Sequence, residues 1–375
     1  MPVKLIDTPA LTFDDVLIVP KRSSVYSRKQ VSLRTRLVGD LEIGLPFISA
    51  NMDTVTELRM AEAMHDLGAL GIIHRFLPED EHVALMNRIP GLRILAIGVK
   101  PADLRKISRI DRLSGVLIDV AHGHSDRVIE IIGRVREEHP DLWIIAGNVA
   151  TAEGAWDLLD AGAHAIKVGV GPGAVCTTRI VTGCGVPQLT AIMKARAAID
   201  RWWDVERRKD KPRTSLSPTL IADGGIRNSG DVVKALVAGA NSVMIGSLFA
   251  GTDESPGEVV TRDGRAVKLY RGMASAGAME VIGVERTPEG VETYVPWQGP
   301  VATLLRDLEG GVRSGLSYTN SESVADLHQQ TIEFIKVSGS AKQESLPHAA
   351  FRSFERWDGS ADSRGDEVEE TLALG

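Results

Sequence analysis

Cysteine is scarce in this sequence, and an excess of basic charge and long apolar runs are absent. Cys176 and Cys184 are the only cysteines in 375 residues, which excludes a disulfide framework and indicates a reducing compartment, the cytoplasm. Their spacing leaves open a bridge between the two. The net charge of −7 argues against broad binding to nucleic acids or membrane surfaces. No apolar run is as long as a membrane span, and the first residues lack a signal-peptide pattern.

The dominant pattern is a series of eight short runs rich in valine, isoleucine and alanine. Each run is almost continuously apolar, as in strands buried on both faces of a parallel sheet, and a helix-like segment follows it. Eight such units in about 250 residues predict an α/β fold, a single-domain (β/α)8 TIM barrel, with an open doubly wound sheet as the alternative. The predicted strands are residues 46–50, 68–74, 94–99, 115–120, 143–149, 165–170, 219–225 and 242–247, and helices are predicted at 57–67, 125–139, 152–161 and 229–238.

Residues 167–179, Lys-Val-Gly-Val-Gly-Pro-Gly-Ala-Val-Cys-Thr-Thr-Arg, combine a strand end with three glycines at alternate positions. Glycines placed in this way let the backbone turn tightly and approach a ligand closely. Cys176 follows three residues after the last of them, so it is a candidate nucleophile at the tip of the loop. The alternative is a glycine-rich turn with an incidental buried cysteine.

If the fold is a (β/α)8 barrel, the ends of its last two strands should carry residues that can bind phosphate. Phosphate groups in such barrels are held by the loops after strands seven and eight. Strand seven ends in Asp223-Gly-Gly225, and strand eight ends in Gly246-Ser247. Backbone N–H groups of Gly225, Gly246 and Ser247 are therefore predicted to hold a phosphate, and Asp223 is predicted to bind ribose hydroxyls. Cys176 follows strand six and lies on the same face, which favours its interpretation as a nucleophile.

Ordered motifs along nearly the whole chain resemble the inosine monophosphate dehydrogenase and guanosine monophosphate reductase family. The resemblance implies a (β/α)8 barrel, usually a homotetramer, which binds a purine mononucleotide and a nicotinamide cofactor. It also implies that the loop cysteine attacks C2 of the purine and forms a covalent intermediate. The motifs are Thr12-Phe-Asp-Asp-Val-Leu17, Ala50-Asn-Met-Asp-Thr-Val55, Asp119-Val-Ala-His-Gly-His124, Ala146-Gly-Asn-Val149, the loop around Cys176, Asp223-Gly-Gly225 and Tyr270-Arg-Gly-Met273.

The resemblance also assigns individual residues to sites. For substrate it implies Asp223, Gly224, Gly225, Gly246, Ser247, Tyr270, Gly272, Met273, Arg286 and Gly290. For the nicotinamide cofactor it implies Asp119, Val120 and Ala121, with Ser27, Arg28 and Arg75 near the adenylate end. Basic side chains there suit a 2′-phosphate and hence NADPH, with NAD as the alternative. For K⁺ or another monovalent cation it implies carbonyl groups of Gly171, Gly173 and Cys176, with Glu344 as a further ligand.

The family contains two opposed reactions, and an active-site flap at residues 274–298 distinguishes them. Dehydrogenases carry on this flap an Arg-Tyr pair that activates water, and the flap of this chain has no such pair. Arg286 stands three residues before the Glu289-Gly290 step, as in the reductases. The resemblance makes Glu289 and Thr178 a dyad that moves protons as ammonia leaves. The flap therefore favours a guanosine monophosphate (GMP) reductase.

Other segments favour the dehydrogenase. His122-Gly-His124 stands where reductases usually have Asn-Gly-Tyr, and the stretch that contains Glu344 is dehydrogenase-like. By contrast, the absence of a regulatory insert between strands two and three points towards the reductase, since such an insert is common in the dehydrogenases of the family. One helix-like segment leads from Arg75 to Arg93 and leaves no room for it. A catalytically inactive nucleotide-binding regulator is a further alternative, although a protein that only binds nucleotide would not need Cys176, Thr178 and Glu289.

The predicted organisation is a catalytic barrel over residues 1–357 and a mobile acidic tail over residues 358–375.

Overall fold

The computed structural model describes residues 3–283 and 285–346. The chain divides into two compact units, Met1–Val337 and Ser338–Gly375, and the second is described only over residues 338–346. The predicted domain end at residue 357 and the predicted tail of residues 358–375 lie outside the described residues. In the part of the chain that is described, no helix is long and apolar enough to cross a membrane.

Strands and helices alternate along most of the described chain, and all but the last helix belong to the first unit. The strands are β1 (Val16–Ile18), β2 (Thr35–Val38), β3 (Leu41–Ile43), β4 (Phe47–Ser49), β5 (Leu70–Gly71), β6 (Ile94–Ile97), β7 (Gly115–Asp119), β8 (Trp143–Val149), β9 (Ala165–Val168), β10 (Thr219–Asp223), β11 (Ser242–Ile245), β12 (Val260–Arg262), β13 (Arg265–Arg271), β14 (Glu292–Pro296) and β15 (Phe334–Lys336). The helices are α1 (Leu58–Asp66), α2 (Glu79–Arg88), α3 (Pro101–Arg105), α4 (Asp126–Glu138), α5 (Ala152–Ala161), α6 (Thr178–Thr182), α7 (Gln188–Glu206), α8 (Ser229–Val237), α9 (Ser247–Ala250), α10 (Ala276–Ile282), α11 (Val301–Tyr318), α12 (Val324–Leu327) and α13 (Gly339–Glu344).

Strands β4 to β11 form one parallel, curled sheet of eight strands. Their order is β5-β4-β11-β10-β9-β8-β7-β6, so the first strand of the series pairs with the last through Val243 with Phe47 and Met244 with Ile48. This is the cyclic order of a (β/α)8 barrel, and a doubly wound sheet would instead reverse its order midway. The described residues contain no ladder between β5 and β6, where the order is interrupted. All eight predicted strands are confirmed, and the open-sheet alternative is excluded.

The apolar runs form strands because both faces of the barrel wall exclude water. All four residues of β6 and of β11 are buried, and so are all four of β9, which include the charged residue Lys167. Side chains cap the predicted helices at residues 152–161 and 229–238. Oγ1 of Thr151 accepts from the Gly154 amide of α5 at 3.0 Å, and Oδ1 of Asn228 accepts from the Asp231 amide of α8 at 3.0 Å. One helix, α2, lies between β5 and β6, which leaves no room there for a regulatory insert.

The two ends of the barrel are covered by different elements. The β2–β3 hairpin lies at the amino-terminal end of the strands, where Oγ1 of Thr219 donates to the Leu37 carbonyl. The antiparallel sheet β12-β13-β14 belongs to the opposite end, where β13 leads into the flap. The carboxyl end of the barrel is therefore the end at which the loops after β7, β9, β10 and β11 meet the flap.

Candidate active site

The loop after β9 needs its glycines because the backbone passes close to neighbouring groups. A Cβ atom on Gly169 would lie 2.0 Å from the Asp223 carbonyl oxygen, and Gly171 has a φ of +77°. Arg179 stabilises the turn, since its Nε donates to the Val170 carbonyl at 3.1 Å and its Nη2 to the Val186 carbonyl at 2.7 Å. These contacts fix the conformation of the loop, in which Cys176 is half-buried at the carboxyl end of the barrel.

Three side chains form a hydrogen-bonded line from this loop to the flap. Sγ of Cys176 donates to Oγ1 of Thr178 at 3.3 Å, and Oγ1 of Thr178 donates to Oε2 of Glu289 at 2.9 Å. Because the two bonds share one hydroxyl, a proton has a continuous route between sulfur and carboxylate. These are the three residues that the sequence predicted as catalytic, and the structure brings them together.

Backbone hydrogen bonds fix the flap against the cysteine loop. The Thr177 amide donates to the Glu289 carbonyl at 2.9 Å, and the Val291 amide donates to the Val175 carbonyl at 3.0 Å. Gly290 fits between them because a Cβ atom there would lie 3.1 Å from the Val175 carbonyl oxygen. Gly272 lies against Gly290, so the two predicted substrate-site glycines form one narrow contact.

The predicted phosphate loops lie side by side at the ends of β10 and β11. Gly224 and Gly225 both have positive φ, +90° and +81°, which turns the backbone after Asp223. No group among the described residues accepts a hydrogen bond from the amides of Gly225, Gly246 or Ser247. These free donors suit an anion, as the sequence predicted.

Tyr270 closes the space between the phosphate loops and the cysteine. It is only 3% exposed, and a Cβ atom on Gly246 would lie 2.7 Å from its hydroxyl. Burial raises the pKa of the Tyr270 hydroxyl, and the charges of Asp223 and Cys176 raise it further, so the hydroxyl stays neutral. Met273, after the same strand, accepts a hydrogen bond from the Asp53 amide at 3.3 Å.

A buried lysine that the sequence did not single out as a site residue lies between two of the predicted site carboxylates. Nζ of Lys167 bonds Oδ1 of Asp119 at 2.7 Å and also bonds Oδ2 of Asp223. Asn51 donates to the other oxygen of Asp119 at 2.8 Å, and Asn148 donates to Oδ2 of Asp223 at 2.8 Å. Burial opposes charge on Lys167, but the two carboxylates outweigh it and raise its pKa. The detectable signal was a lysine inside an otherwise apolar strand.

The cofactor residues predicted at the end of β7 are accessible. Ala121 is exposed and Val120 is half-buried, directly after Asp119. Burial opposes the ionisation of Asp119, but Lys167, Asn51 and Arg75 together lower its pKa below the usual value. Nε of Arg75 has no hydrogen-bond partner among the described residues. The guanidinium of Arg75 also lies over the Phe76 ring, 4.3 Å from its centroid. An ionised acceptor, an open edge and a nearby cation fit a nicotinamide nucleotide.

The carbonyl groups predicted to bind a cation are partly committed to the loop itself. The Gly173 carbonyl accepts from the Cys176 amide at 3.0 Å. Those of Gly171 and Cys176 accept no hydrogen bond from any described residue. A monovalent cation at this loop is compatible with these oxygen donors and remains a prediction.

Three predicted site residues of the first unit are not brought into this constellation by any contact of the described chain. Ser27 and Arg28 lie in a short turn that packs beside α11, where Oγ of Ser27 accepts from Lys29. Arg286 is exposed on the flap, and Glu344 is exposed on α13 of the second unit. Their roles remain predictions.

Comparisons with known proteins agree with this geometry. The family model described as the IMP dehydrogenase / GMP reductase domain matches residues 10–348. The chain is 37% identical to the inosine-5′-monophosphate dehydrogenase of Borreliella burgdorferi, with 94% of the chain and 99% of that relative covered. It is 35% identical to the dehydrogenase of that name from Nitrosopumilus maritimus, with 90% and 98% covered. It is 32% identical to the GMP reductase of Leishmania donovani, with 90% and 96% covered.

The alignments with the relatives are longer than this chain. The alignment spans 480 residues with the N. maritimus dehydrogenase and 489 with the L. donovani reductase, whereas the chain has 375. Relatives of both names therefore carry segments that this chain lacks, and the missing insert does not favour either activity. The family model matches most of the sequence, and the alignments with the three relatives cover 96–99% of their lengths. The chain belongs to the IMP dehydrogenase / GMP reductase family.

Proposed function

We propose that this protein is a GMP reductase, which converts GMP and NADPH into inosine monophosphate (IMP), ammonia and NADP⁺. The observation that carries the proposal is the line from Cys176 through Thr178 to Glu289 beneath a flap without an Arg-Tyr pair. The line can move a proton to a leaving amine, whereas the flap lacks the groups with which dehydrogenases of this family activate water.

The nucleotide would lie across the loops after β9, β10 and β11. The free amides of Gly225, Gly246 and Ser247 would hold the phosphate, and Asp223 would accept from a ribose hydroxyl. Oδ1 of Asp223 accepts no hydrogen bond from the described residues, because Lys167 and Asn148 both bond Oδ2. This pose brings the purine to Cys176, between Tyr270 and the flap.

The first chemical step would exchange the exocyclic amine of GMP for the sulfur of Cys176. Sγ forms a bond to C2, and its proton passes through Thr178 and Glu289 to the 2-amino nitrogen. The C2–N bond then breaks and ammonia leaves, so that the thiol hydrogen and the amino group together account for the product. Glu289 ends the step in the protonation state in which it began.

Asp119, Val120 and Ala121 would hold the nicotinamide cofactor, which would supply a hydride to C2 when bound. As this hydrogen bonds to carbon, Cys176 departs as a thiolate, the C2–N3 double bond is restored, and IMP is formed. Cys176 then takes one proton from solvent, which balances the overall reaction. No water is consumed, and this agrees with a flap that contains no water-activating pair.

IMP dehydrogenase, with IMP, NAD and water as substrates and XMP and NADH as products, is the second candidate. The sequence His122-Gly-His124 supports it, as do the relatives at 34–37% identity that bear that name. Its weakness is the missing base on the flap. NADPH, the tetramer and the cation are likewise part of the proposal.

The test offers both substrate pairs to one enzyme preparation in the presence of K⁺. GMP with NADPH should give equal amounts of IMP, ammonia and oxidised cofactor, and IMP with NAD should give no XMP. XMP formation without GMP reduction would establish the dehydrogenase. Nucleotide binding without either reaction would establish the non-catalytic regulator.

A further inference from the structure

We propose that Lys167 is a positioning residue that prepares the nucleotide carboxylate Asp223 and the cofactor carboxylate Asp119 at the same time. The inference rests on the proposed function, because it takes from it the ligands that these carboxylates receive. Lys167 itself is 1% exposed and bonds both carboxylates, so it would act through these two partners and not by contact with a ligand.

The geometry sets the orientation of each carboxylate. Lys167 and Asn148 both bond Oδ2 of Asp223, which leaves Oδ1 free of hydrogen bonds from the described residues. On the other side, Lys167 bonds Oδ1 of Asp119 and Asn51 bonds Oδ2. Each carboxylate is thus fixed by one shared ammonium and one amide of its own.

Charge makes the shared ammonium necessary. Two carboxylates that meet at one buried point repel each other, and each would take up a proton without a counter-ion. The other charged or titratable groups near them are Arg75, beside Asp119, and Tyr270, beside Asp223. Tyr270 is neutral. Among the described residues, Lys167 is therefore the cation that bonds both carboxylates, Asp119 and Asp223.

The arrangement predicts a distinctive pattern of binding defects. Lys167→Met should weaken the nucleotide and the cofactor, each by about tenfold or more, because each binds through an oriented, charged acceptor. Asn148→Ala should weaken mainly the nucleotide, and Asn51→Ala should weaken mainly the cofactor. Calorimetric titration of GMP and of NADP⁺ measures both dissociation constants without turnover.

A pH titration separates positioning from a merely structural role. As the pH is lowered, the affinity for GMP should begin to fall about one pH unit earlier in Lys167→Met than in the wild-type protein. The reason is that two carboxylates without a counter-ion take up a proton more readily. Lys268→Met is the matched control. Lys268 is also 1% exposed, but its Nζ donates to the carbonyls of Thr252 and Ser255. That variant should unfold at a lower temperature and keep the wild-type pH profile of GMP binding.

A charge-balanced pair of variants keeps the proposal testable if Lys167→Met fails to fold. Asp119→Asn with Lys167→Met removes one negative and one positive charge, and Asp119→Asn alone is its reference. GMP should bind about tenfold more weakly to the double variant than to the reference, because Asp223 has lost its orienting cation. Equal affinities, or a Lys167→Met variant that loses one ligand only, would overturn the proposal. Since binding of IMP and NAD reports the same pattern, a failure of the GMP reductase assignment would be seen separately, in turnover.

Discussion

The hydroxyl of Thr178 donates a 2.9 Å hydrogen bond to the carboxylate of Glu289, which joins the cysteine loop to a flap residue 111 positions away in sequence. The same hydroxyl accepts from Cys176. The bond therefore has two consequences. It fixes the flap against the cysteine loop, and in the proposed reaction it makes the departure of ammonia depend on a side chain that lies between sulfur and carboxylate.

Removal of the relay should slow the deamination step. Thr178→Val, which keeps the shape of the side chain, and Glu289→Gln, which keeps an acceptor, should each lower kcat for GMP by about a hundredfold or more. Because both act on one proton path, the double variant should be little worse than either single variant. Thr177→Val is the matched control, since its side chain makes no hydrogen bond to the described residues. Additive losses in the double variant would contradict a shared relay.

Cys176→Ala should abolish turnover while GMP binding stays within a few fold of the wild-type value, because the phosphate and ribose contacts are unchanged. Steady-state cofactor oxidation and calorimetric titration measure the two quantities. Cys184→Ala is the control, since this exposed thiol lies outside the hydrogen-bonded line. Turnover that survives in Cys176→Ala, or its loss in Cys184→Ala, would exclude Cys176 as the sole nucleophile.

Two glycines of one helix should respond oppositely to alanine. Gly310 of α11 has no atom within 4 Å of a Cβ position, so Gly310→Ala should raise the free energy of unfolding by about 0.5–1 kcal/mol. A Cβ on Gly315 would lie 2.5 Å from Cγ2 of Val233 on α8, so Gly315→Ala should lower it by about 1–3 kcal/mol. Urea denaturation checks both values, and equal shifts would refute the packing of α11 against α8.

Two buried histidines should make the fold sensitive to acid. Burial lowers the pKa of His164 to about 4, with a smaller contribution from Arg136, and burial with Lys106 nearby lowers the pKa of His82 to about 3. The unfolded chain takes up these protons below pH 6.5, whereas the folded protein does not. The two histidines therefore do not lower the free energy of unfolding above pH 6.5, and they lower it progressively as the pH falls from 6.5 towards 4.

The expected slope is about 1.4 kcal/mol of unfolding free energy per pH unit for each histidine. His164 has a structural reason to stay neutral, because the Ile144 amide faces its Nδ1 at 3.1 Å and the Arg136 guanidinium faces its Nε2 at 3.0 Å. His164→Gln should reduce the dependence of the unfolding free energy on pH, between pH 6.5 and 4.5, by the contribution of one histidine, about 1.4 kcal/mol per pH unit. An unchanged slope in chemical denaturation would contradict this assignment.

The barrel could be predicted from the sequence because its strands are buried on both faces and so are nearly continuous in apolar residues. The hydrogen-bonded line from Cys176 to Glu289 could be predicted from the resemblance alone, since Thr178 and Glu289 are far apart in the chain. The role of Lys167 could not be predicted, because a lysine in an apolar strand gives no sign of which carboxylates fold against it. Asp223, one of its two partners, is 56 residues away. The place of Ser27 and Arg28 beside α11 likewise depends on packing that no local pattern encodes.

The most direct test of the central claim follows the transferred hydrogen. With GMP and NADPH that carries deuterium at both C4 positions, the account predicts IMP with one deuterium at C2 and one ammonia released per cofactor oxidised, as measured by mass spectrometry and ammonia assay. Unlabelled IMP, or a protein that leaves GMP unchanged and converts IMP and NAD into XMP, would contradict it.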